Sequence, residues 1–184
     1  MTRRATFILV LLMVLSWSVA LYFVPPEAIV ARLGTHTLPA VFMAGVLGGT
    51  SILFPFPYYL VVATTAAGGV SPVMVGLAAG LGVMLGETTS YLVGHAGRAV
   101  LPTRATAIFE LLRRWVSDSH GVRFYAFLFG YGCMMPLPND VILVPLGAAG
   151  VPYWRVIVPL GAGNIVFNTA TALLAARGIP LFWT

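Results

Sequence analysis

Long apolar segments alternate along the chain with short segments that are rich in proline, glycine or charge. Residues 5–24 form one apolar run and residues 73–93 form another. About twenty helical residues, at ~1.5 Å each, cover the ~30 Å hydrocarbon core of a bilayer. The pattern therefore predicts an all-α protein whose long helices span a membrane.

The first apolar run has two interpretations. Ser18-Val19-Ala20 resembles a signal-peptidase site, and Arg3-Arg4 faintly resembles a twin-arginine signal. The run continues past Ala20, which favours a retained N-terminal anchor helix over residues 1–24. Pro25-Pro26 ends this helix, and residues 25–37 mix apolar with charged positions in a pattern typical of a short interfacial helix.

Proline interrupts the next apolar segment. Pro55-Phe56-Pro57 must break a helix, because proline lacks an N–H group and disfavours helix in the residue before it. The apolar residues 60–67 that follow cover only ~12 Å as a helix, too little to cross the bilayer. The sequence therefore predicts a re-entrant hairpin that dips into the membrane and returns to the same side, with Pro55 and Pro57 at its turn.

The pattern of this hairpin and of the helix after it recurs later in the chain at a constant difference in residue number, which we call the repeat offset (136 − 55 = 81). Pro55 and Pro57 recur as Pro136 and Pro138, at the turn of a second predicted hairpin. The other identities at the repeat offset are Ala67 with Ala148, Gly69 with Gly150, Val70 with Val151, Gly80 with Gly161, Gly82 with Gly163, Thr88 with Thr169, Leu92 with Leu173 and Gly97 with Gly178. A hairpin returns to its own side and a spanning helix changes sides, so the second hairpin enters from the opposite face.

The predicted fold is thus an all-α integral membrane protein, a single membrane domain over residues 1–184. It is an inverted-topology repeat with two opposed re-entrant helical hairpins plus spanning helices. Residues 38–98 form repeat 1 and residues 122–179 form repeat 2. Between them, residues 99–121 carry an apolar face and a charged face, which predicts a cytoplasmic amphipathic helix.

Composition and charge support this class. Of the 184 residues, 59% are hydrophobic and 8% are charged, whereas a soluble domain has roughly 25% charged residues. All the basic side chains behind the net charge of +5 are arginine. With a cytoplasmic N-terminus, most of them fall on the cytoplasmic side, as the positive-inside rule requires. These are Arg3, Arg4, Arg98, Arg104, Arg113, Arg114, Arg123 and Arg155, against Arg32 and Arg177 on the other side. We expect a prokaryotic plasma membrane.

Several functions are disfavoured by what the sequence lacks. It has no basic helix or RNA-binding signature, so we expect no nucleic-acid partner. The single cysteine, Cys133, excludes an intrachain disulfide and a multi-cysteine metal site. No G-x-S-x-G, H-E-x-x-H or Cys/His pair is present, which argues against an intramembrane enzyme. We expect no metal and no cofactor.

The motifs of the two repeats together resemble those of the DedA/VTT-domain membrane proteins. The motifs are the two Pro-x-Pro turns, Ala67-Gly68-Gly69, Gly86-Glu87, the segment from Tyr91 to Gly97-Arg98, and Gly161-x-x-Asn164. The resemblance covers residues 38–178. It implies two opposed re-entrant hairpins and lipid flipping or scrambling driven by the proton-motive force, including the flipping of polyprenyl-phosphate carriers. This chain departs from the family at Tyr58 and Tyr59, where an acidic residue is frequent, and at Gly130 and Asn139-Asp140, where arginines are usual.

Glu87 and Asp140 are the two acidic residues inside hydrophobic elements. A charge at bilayer depth costs at least ~2.5–3.5 kcal/mol on insertion scales, so both are candidate proton-coupling groups. Alternatively, Glu87 is a helix-end residue bonded to Thr88, Ser90 or Tyr91, and Asp140 is a helix cap. The candidate substrate path is lined by Asn139, Tyr58, Tyr59, Asn164 and Asn168, with Arg123 and Arg155 at its rim. Alternatively, the small and polar residues of the two long helices serve packing alone.

The function that we expect is membrane transport. The leading hypothesis is a proton-coupled flippase or scramblase of phospholipid or polyprenyl phosphate, whose partners are the lipid bilayer, a lipid or small amphiphilic substrate, and protons. The alternatives are a proton-coupled exporter of small cations or drugs, and a non-transporting membrane scaffold subunit. A homo-oligomer is compatible with each of these functions.

Overall fold

The computed structural model describes residues 3–50, 56–98, 116, 121–134 and 139–178. Throughout these residues the regular structure is helical, with no β-strand, which confirms the predicted all-α class. Three helical segments are long and apolar enough to cross a membrane, namely Pro26–Gly49, Pro72–Gly97 and Tyr153–Gly178. The length and composition of these segments are those of a membrane protein.

Eight α-helices are described, and we number them in chain order. They are α1 (Arg3–Phe23), α2 (Pro26–Leu33), α3 (Thr37–Gly49), α4 (Tyr59–Ala67), α5 (Pro72–Gly97), α6 (Val122–Met134), α7 (Asp140–Ala148) and α8 (Tyr153–Gly178). Three predicted turn prolines, Pro55, Pro136 and Pro138, lie outside the described residues. So does the predicted amphipathic helix of residues 99–121, apart from its last residue and Val116, which is helical and packs against a hydrophobic core.

Helices α1 and α2 both contact α4. The indole N–H of Trp17 on α1 donates a hydrogen bond of 3.0 Å to Oγ1 of Thr64 on α4. On α2, Pro26 and Val30 approach Gly68 at the end of α4 so closely that a side chain at this glycine would clash with them. Gly34 ends α2 with a φ of +50°, and a short 3₁₀ turn over Gly34–His36 leads into α3. The anchor and interfacial roles of these segments stay predictions.

Glycines set the distance and direction of the contact between α3 and α5. Gly45 lies against Ala79 and Val83, and Gly49 lies against Val83 and Glu87. A step of four residues along α3 therefore moves the contact by four residues along α5 in the same sense. The two helices run in the same direction. The absence of side chains at these glycines lets the two backbones approach closely.

The two long helices α5 and α8 cross each other through a reciprocal pair of contacts. Gly80 on α5 lies against Ile165 on α8, and Gly161 on α8 lies against Met84 on α5. The numbers rise along one helix as they fall along the other, so the helices are antiparallel. The repeat offset takes Gly80 to Gly161 and Met84 to Ile165, so the two contacts exchange equivalent positions.

The remaining helices fill the two sides of this central pair. Helix α6 packs on α8, and the first turns of both helices share a core that contains Phe124, Leu128 and Val156. The short helix α7 packs on α5 and α4 packs on α8, so each short helix contacts mainly the long helix of the other half of the chain.

The two halves of the chain have matching helix bounds. The repeat offset takes both ends of α4 to those of α7, and both ends of α5 to those of α8. The backbone between the short and the long helix also matches. Gly69 and Gly150 have positive φ values of 89° and 70°, and Val70 and Val151 donate to carbonyls five residues back. A positive φ is open to glycine at little cost, which explains why glycine occupies both positions.

Two hydrophobic cores share several equivalent positions. The repeat offset relates the buried residues Val62, Val75, Ala79 and Ala172 of one core to Leu143, Val156, Leu160 and Tyr91 of the other. For Val41 and Leu128 of the first helices the difference is larger (128 − 41 = 87). At equal helix positions, the connection between α3 and α4 is therefore six residues longer than the connection between α6 and α7, and both connections lie partly outside the described residues.

The outward surface of α5 is apolar. Leu81, Leu85 and Leu92 are each about half exposed, and Val73 and Val93 are exposed beside them. Exposed apolar faces of this extent are rare on water-soluble monomers. They are what helices in contact with lipid require.

Candidate functional site

Glu87 is the centre of a polar network inside the helix bundle. It is the sixteenth of the 26 residues of α5, and its side chain is only 2% exposed. The amide group of Asn164 on α8 donates to both carboxylate oxygens, at 2.9 Å to Oε1 and 3.0 Å to Oε2. The amide group of Asn139 also donates to Oε1. We call Glu87, Asn139, Asn164, Asn168 and Tyr58 the Glu87 cage.

The local sequence explains why these groups meet. Asn139 directly precedes α7, after residues 135–138, which include two prolines. Asn164 and Asn168 are one turn apart on the face of α8 that meets α5. Glycines at the helix contacts bring the backbones close enough for these short side chains to reach Glu87.

The other acidic residue, Asp140, lies beside the cage. Its Oδ1 accepts a hydrogen bond of 2.5 Å from the hydroxyl of Ser90, which follows Glu87 by three residues on α5. Asp140 is half-buried, and its charge is close enough to interact with that of Glu87. The two predicted proton-coupling residues therefore both lie where α5 meets the start of α7, about one helical turn apart along α5.

Tyr58 and Asn168 complete the cage on its opposite side. The amide group of Asn168 donates to the backbone oxygen of Asn164 at 2.8 Å and to the hydroxyl of Tyr58 at 3.5 Å. Asn168 is fully buried. Since the repeat offset takes Tyr58 to Asn139 and Glu87 to Asn168, this contact is the counterpart of the one between Asn139 and Glu87.

Two amide oxygens of the cage have no hydrogen-bond partner within the described residues. They are Oδ1 of Asn139 and Oδ1 of Asn168, and both atoms are buried. In each residue the amide nitrogen is already bonded to other members of the cage. The unsatisfied capacity of the site is therefore for hydrogen-bond donors or positive charge.

No basic side chain within the described ranges pairs with Glu87, whose partners there are neutral amides. Arg123 and Arg155 are exposed near the starts of α6 and α8. Arg155 precedes Asn164 by nine residues, so it lies ~13.5 Å along the helix axis from the cage. Arg123 precedes Gly132, which contacts α8 beside Asn164, by the same number of residues.

The structure separates the predicted site residues into groups. Glu87, Asn139, Asn164, Asn168 and Tyr58 form one network. Asp140 is adjacent to it, whereas Tyr59 is 40% exposed and stacks edge-on against the ring of Tyr58. Pro57 is buried directly before Tyr58.

The alternative interpretation of Glu87 as a helix-end residue bonded to its neighbours does not hold. Thr88 bonds to Met84 and Tyr153, Ser90 to Asp140, and Tyr91 to the backbone oxygen of Val151. The hydrogen-bond partners of Glu87 come instead from α8 and from the residue before α7. For Asp140, the helix cap position is taken by Asn139.

Tyr131 is a neighbour of the site that the sequence interpretation missed. It lies on α6, and its hydroxyl is close enough to interact electrostatically with both Asp140 and Glu87. The signal in the sequence that could have indicated Tyr131 is its position five residues before the predicted turn at Pro136. Across the described residues, no group of three or more His, Cys, Asp or Glu side chains could hold a metal ion.

Searches of known protein families, of curated proteins and of solved structures found no match to this chain.

Proposed function

We propose that this chain is a proton-coupled membrane transporter that moves a lipid with a phosphate headgroup between leaflets, and that Glu87 carries the proton. The observation that carries the proposal is a carboxylate 2% exposed in the middle of a candidate spanning helix and held, within the described residues, by neutral amides. Such a group is expensive in a bilayer unless it is neutralised, paired or functional.

The proposed architecture is an inverted-topology repeat with two re-entrant hairpins, α3–α4 and α6–α7. It is supported by the common direction of α3 and α5, which requires α4 to return the chain to its starting side. Helix α4 has 9 residues, or about 14 Å, which is short of the ~30 Å hydrocarbon core. The matching bounds, the two corresponding cores and the reciprocal contacts between α5 and α8 support the relation of the halves.

The cage suits a group that changes its protonation state. An ionised Glu87 accepts from the amide groups of Asn139 and Asn164, as observed. A protonated Glu87 would need an acceptor for its own O–H, and the free Oδ1 of Asn139 belongs to an amide group already in contact with the carboxylate. Because Asn139 directly precedes α7, a change at Glu87 would act on the start of this helix. A protonation event is thereby linked to movement of the second hairpin.

The proposed lipid substrate rests on the rim and the outer surface. Arg123 and Arg155 lie at one level of two adjacent helices, and two arginines can bind a phosphate. The exposed leucines of α5 could accompany a lipid tail in the membrane. The DedA/VTT-like motifs agree with a lipid phosphate, and the proposed site is the rim for the headgroup and the cage for the proton.

Export of a small cation is the second candidate. It is favoured by one observation, the two unpartnered amide oxygens beside an acidic group with no basic partner in the described residues. A lipid transporter needs a lateral opening to the bilayer, whereas an exporter of a water-soluble cation does not. A scaffold role would leave the buried acid without a purpose.

The test is reconstitution in liposomes with a fluorescent phospholipid or polyprenyl phosphate, with and without a pH gradient. We expect lipid movement that the gradient accelerates and that Glu87→Gln reduces to the level of protein-free liposomes. Thr89→Val is the matched control, because its hydroxyl bonds to the backbone oxygen of Gly86 and lies outside the cage. If no lipid moves under any gradient, the proposed function is wrong.

A further inference from the structure

The fully buried side chain of Asn168 has an amide oxygen with no partner among the described residues. Its amide nitrogen donates to the backbone oxygen of Asn164 and to Tyr58, and turning the amide over would replace the 2.8 Å bond to Asn164 with a contact between two oxygens. The nitrogen of Asn139 is likewise bonded to Glu87 and, at 3.2 Å, to Oδ1 of Asn164. Both oxygens are therefore held in place as acceptors.

A buried acceptor without a partner is unfavourable, because it has lost its hydrogen bonds to water. Two such acceptors in one network, beside a buried carboxylate with no basic partner in the described part of the chain, point to a ligand that brings positive charge. Water could satisfy these oxygens, but it would leave the charge of an ionised Glu87 unbalanced.

We infer that the Glu87 cage binds a monovalent cation, with Na⁺ as the first candidate, in competition with the proton on Glu87. The ligands would be the carboxylate of Glu87 and the amide oxygens of Asn139 and Asn168, with the hydroxyl of Tyr58 as a further oxygen. Oxygen is the donor that hard cations prefer, and a site with one carboxylate and neutral amides suits a single charge better than a divalent ion.

Other titratable groups lie around the cage. Asp140 approaches from the start of α7, Tyr58 from the residue before α4, and Tyr131 from α6. Helix α3 carries no titratable residue, and the arginines of α8 lie near its two ends. Asp140 adds negative charge near the cage and so strengthens its attraction for a cation.

Binding itself does not depend on lipid transport, but a role for Na⁺ as a coupling ion rests on the proposed function. In that case either Na⁺ or a proton could bind the carboxylate of Glu87 and drive transport. Sodium sites at broken helices near the bilayer midplane are a known device of secondary transporters.

The test uses the full chain in detergent micelles and measures thermal unfolding in NaCl, KCl, NH₄Cl and choline chloride at equal ionic strength. We expect Na⁺ to raise the unfolding temperature in a saturable way, as a ligand of the folded state does. The apparent Kd should rise about tenfold for each pH unit below the titration midpoint of Glu87, because a proton competes for the ligand. Glu87→Gln should abolish the effect, Asn168→Leu should weaken it at least about tenfold, and Thr89→Val should leave it unchanged.

Three results would overturn the inference. They are equal unfolding temperatures in NaCl and choline chloride, an undiminished Na⁺ effect in Glu87→Gln, and stabilisation by NH₄⁺ without stabilisation by Na⁺. The proposed function is tested separately with choline as the sole external cation. Proton-driven lipid movement without Na⁺ binding would sink the cation site alone. Na⁺ binding without any lipid movement would sink the transport proposal alone.

Discussion

The two halves of the Glu87 cage place different chemistry on matching backbone. In one half Asn139 donates to Glu87, and in the other half Asn168 donates to Tyr58 at 3.5 Å. The carboxylate and Asn168 occupy positions that the repeat offset makes equivalent, and so do Tyr58 and Asn139. One half therefore carries a group that can ionise, where the other carries a neutral amide of similar shape.

This comparison indicates that the two halves share their backbone arrangement but differ in the side chains that they contribute to the cage. The cores, the glycine contacts and the helix bounds are alike in both halves, whereas the cage has a carboxylate in only one of its halves. A cage with a single carboxylate can bind one proton at a time, although the backbone around it is alike in both halves. Moving the charge between the halves should therefore be more informative than removing it.

The largest effect is expected when both halves carry an acid. Asn168→Glu adds a second carboxylate to the buried network, which should cost at least ~2.5 kcal/mol of folding free energy at neutral pH. The loss should shrink as the pH falls, because a protonated carboxyl avoids the burial of charge. Chemical or thermal unfolding at several pH values measures this, with Asn168→Gln as the neutral control of equal size.

The exchange of positions sharpens the same experiment. In the double variant Glu87→Gln with Asn168→Glu, a single acid lies in the other half, and we expect both stability and proton-driven lipid movement to recover in part. If the double variant is as unstable as Asn168→Glu alone, the equivalence of the two positions is refuted.

Substitution of equivalent contact glycines should destabilise the fold to a similar extent in the two halves. A methyl group at Gly82 would meet the backbone oxygen of Phe42, and one at Gly163 would meet that of Phe129. Gly82→Ala and Gly163→Ala should therefore each destabilise the fold by about 1–3 kcal/mol, as overpacking does. Gly97→Ala, which has no described neighbour within 4 Å, serves as the control and should be neutral or slightly stabilising. A large cost in only one half would contradict the similarity of the two packings.

Much of this frame could be predicted from the sequence, because glycine and proline punctuate it at a constant spacing. The identities at the repeat offset cover α4, α5, α7 and α8, the four helices whose bounds match. They did not place α3 and α6, which correspond at a larger difference in residue number. An alignment without gaps has no means of finding a change in the length of a connection, and helices packed through small residues have few identities to detect.

The site was predictable in its members but not in its bonds. Glu87, Asn164 and Asn168 share a helix-period stripe, which marks one face of α5 and of α8. The contact of Asn139 with Glu87 depends on where the broken backbone brings α7, and no local pattern contains this. The same is true of Tyr131, and of Tyr59, which follows Tyr58 directly yet is exposed.

A smaller effect is expected from removing the two equivalent side chains Asn139 and Tyr58. Asn139→Ala deprives an ionised carboxylate of a charge-assisted hydrogen bond, so proton-driven lipid movement should fall about tenfold. Tyr58→Phe removes only a long bond between neutral groups and should change the rate less than about twofold. The initial rate of lipid movement at a fixed pH gradient measures both. Equal losses would mean that the two halves contribute alike and that the charge on Glu87 does not set the difference.

The smallest effect should come from the hydroxyls one turn beyond the cage, at Ser90 and its counterpart Thr171. Ser90→Ala removes the bond to Asp140 and deprives that half-buried carboxylate of a donor, so the fold should lose about 1 kcal/mol. Thr171→Val removes a bond to the backbone oxygen of Phe167 four residues earlier, which already has its helical partner, so its cost should be a few tenths of a kcal/mol. Both are measured by chemical unfolding at neutral pH. Equal costs at the two positions would show that the bond from Ser90 to Asp140 contributes no more to the fold than a bond within one helix, and that it does not distinguish the two halves.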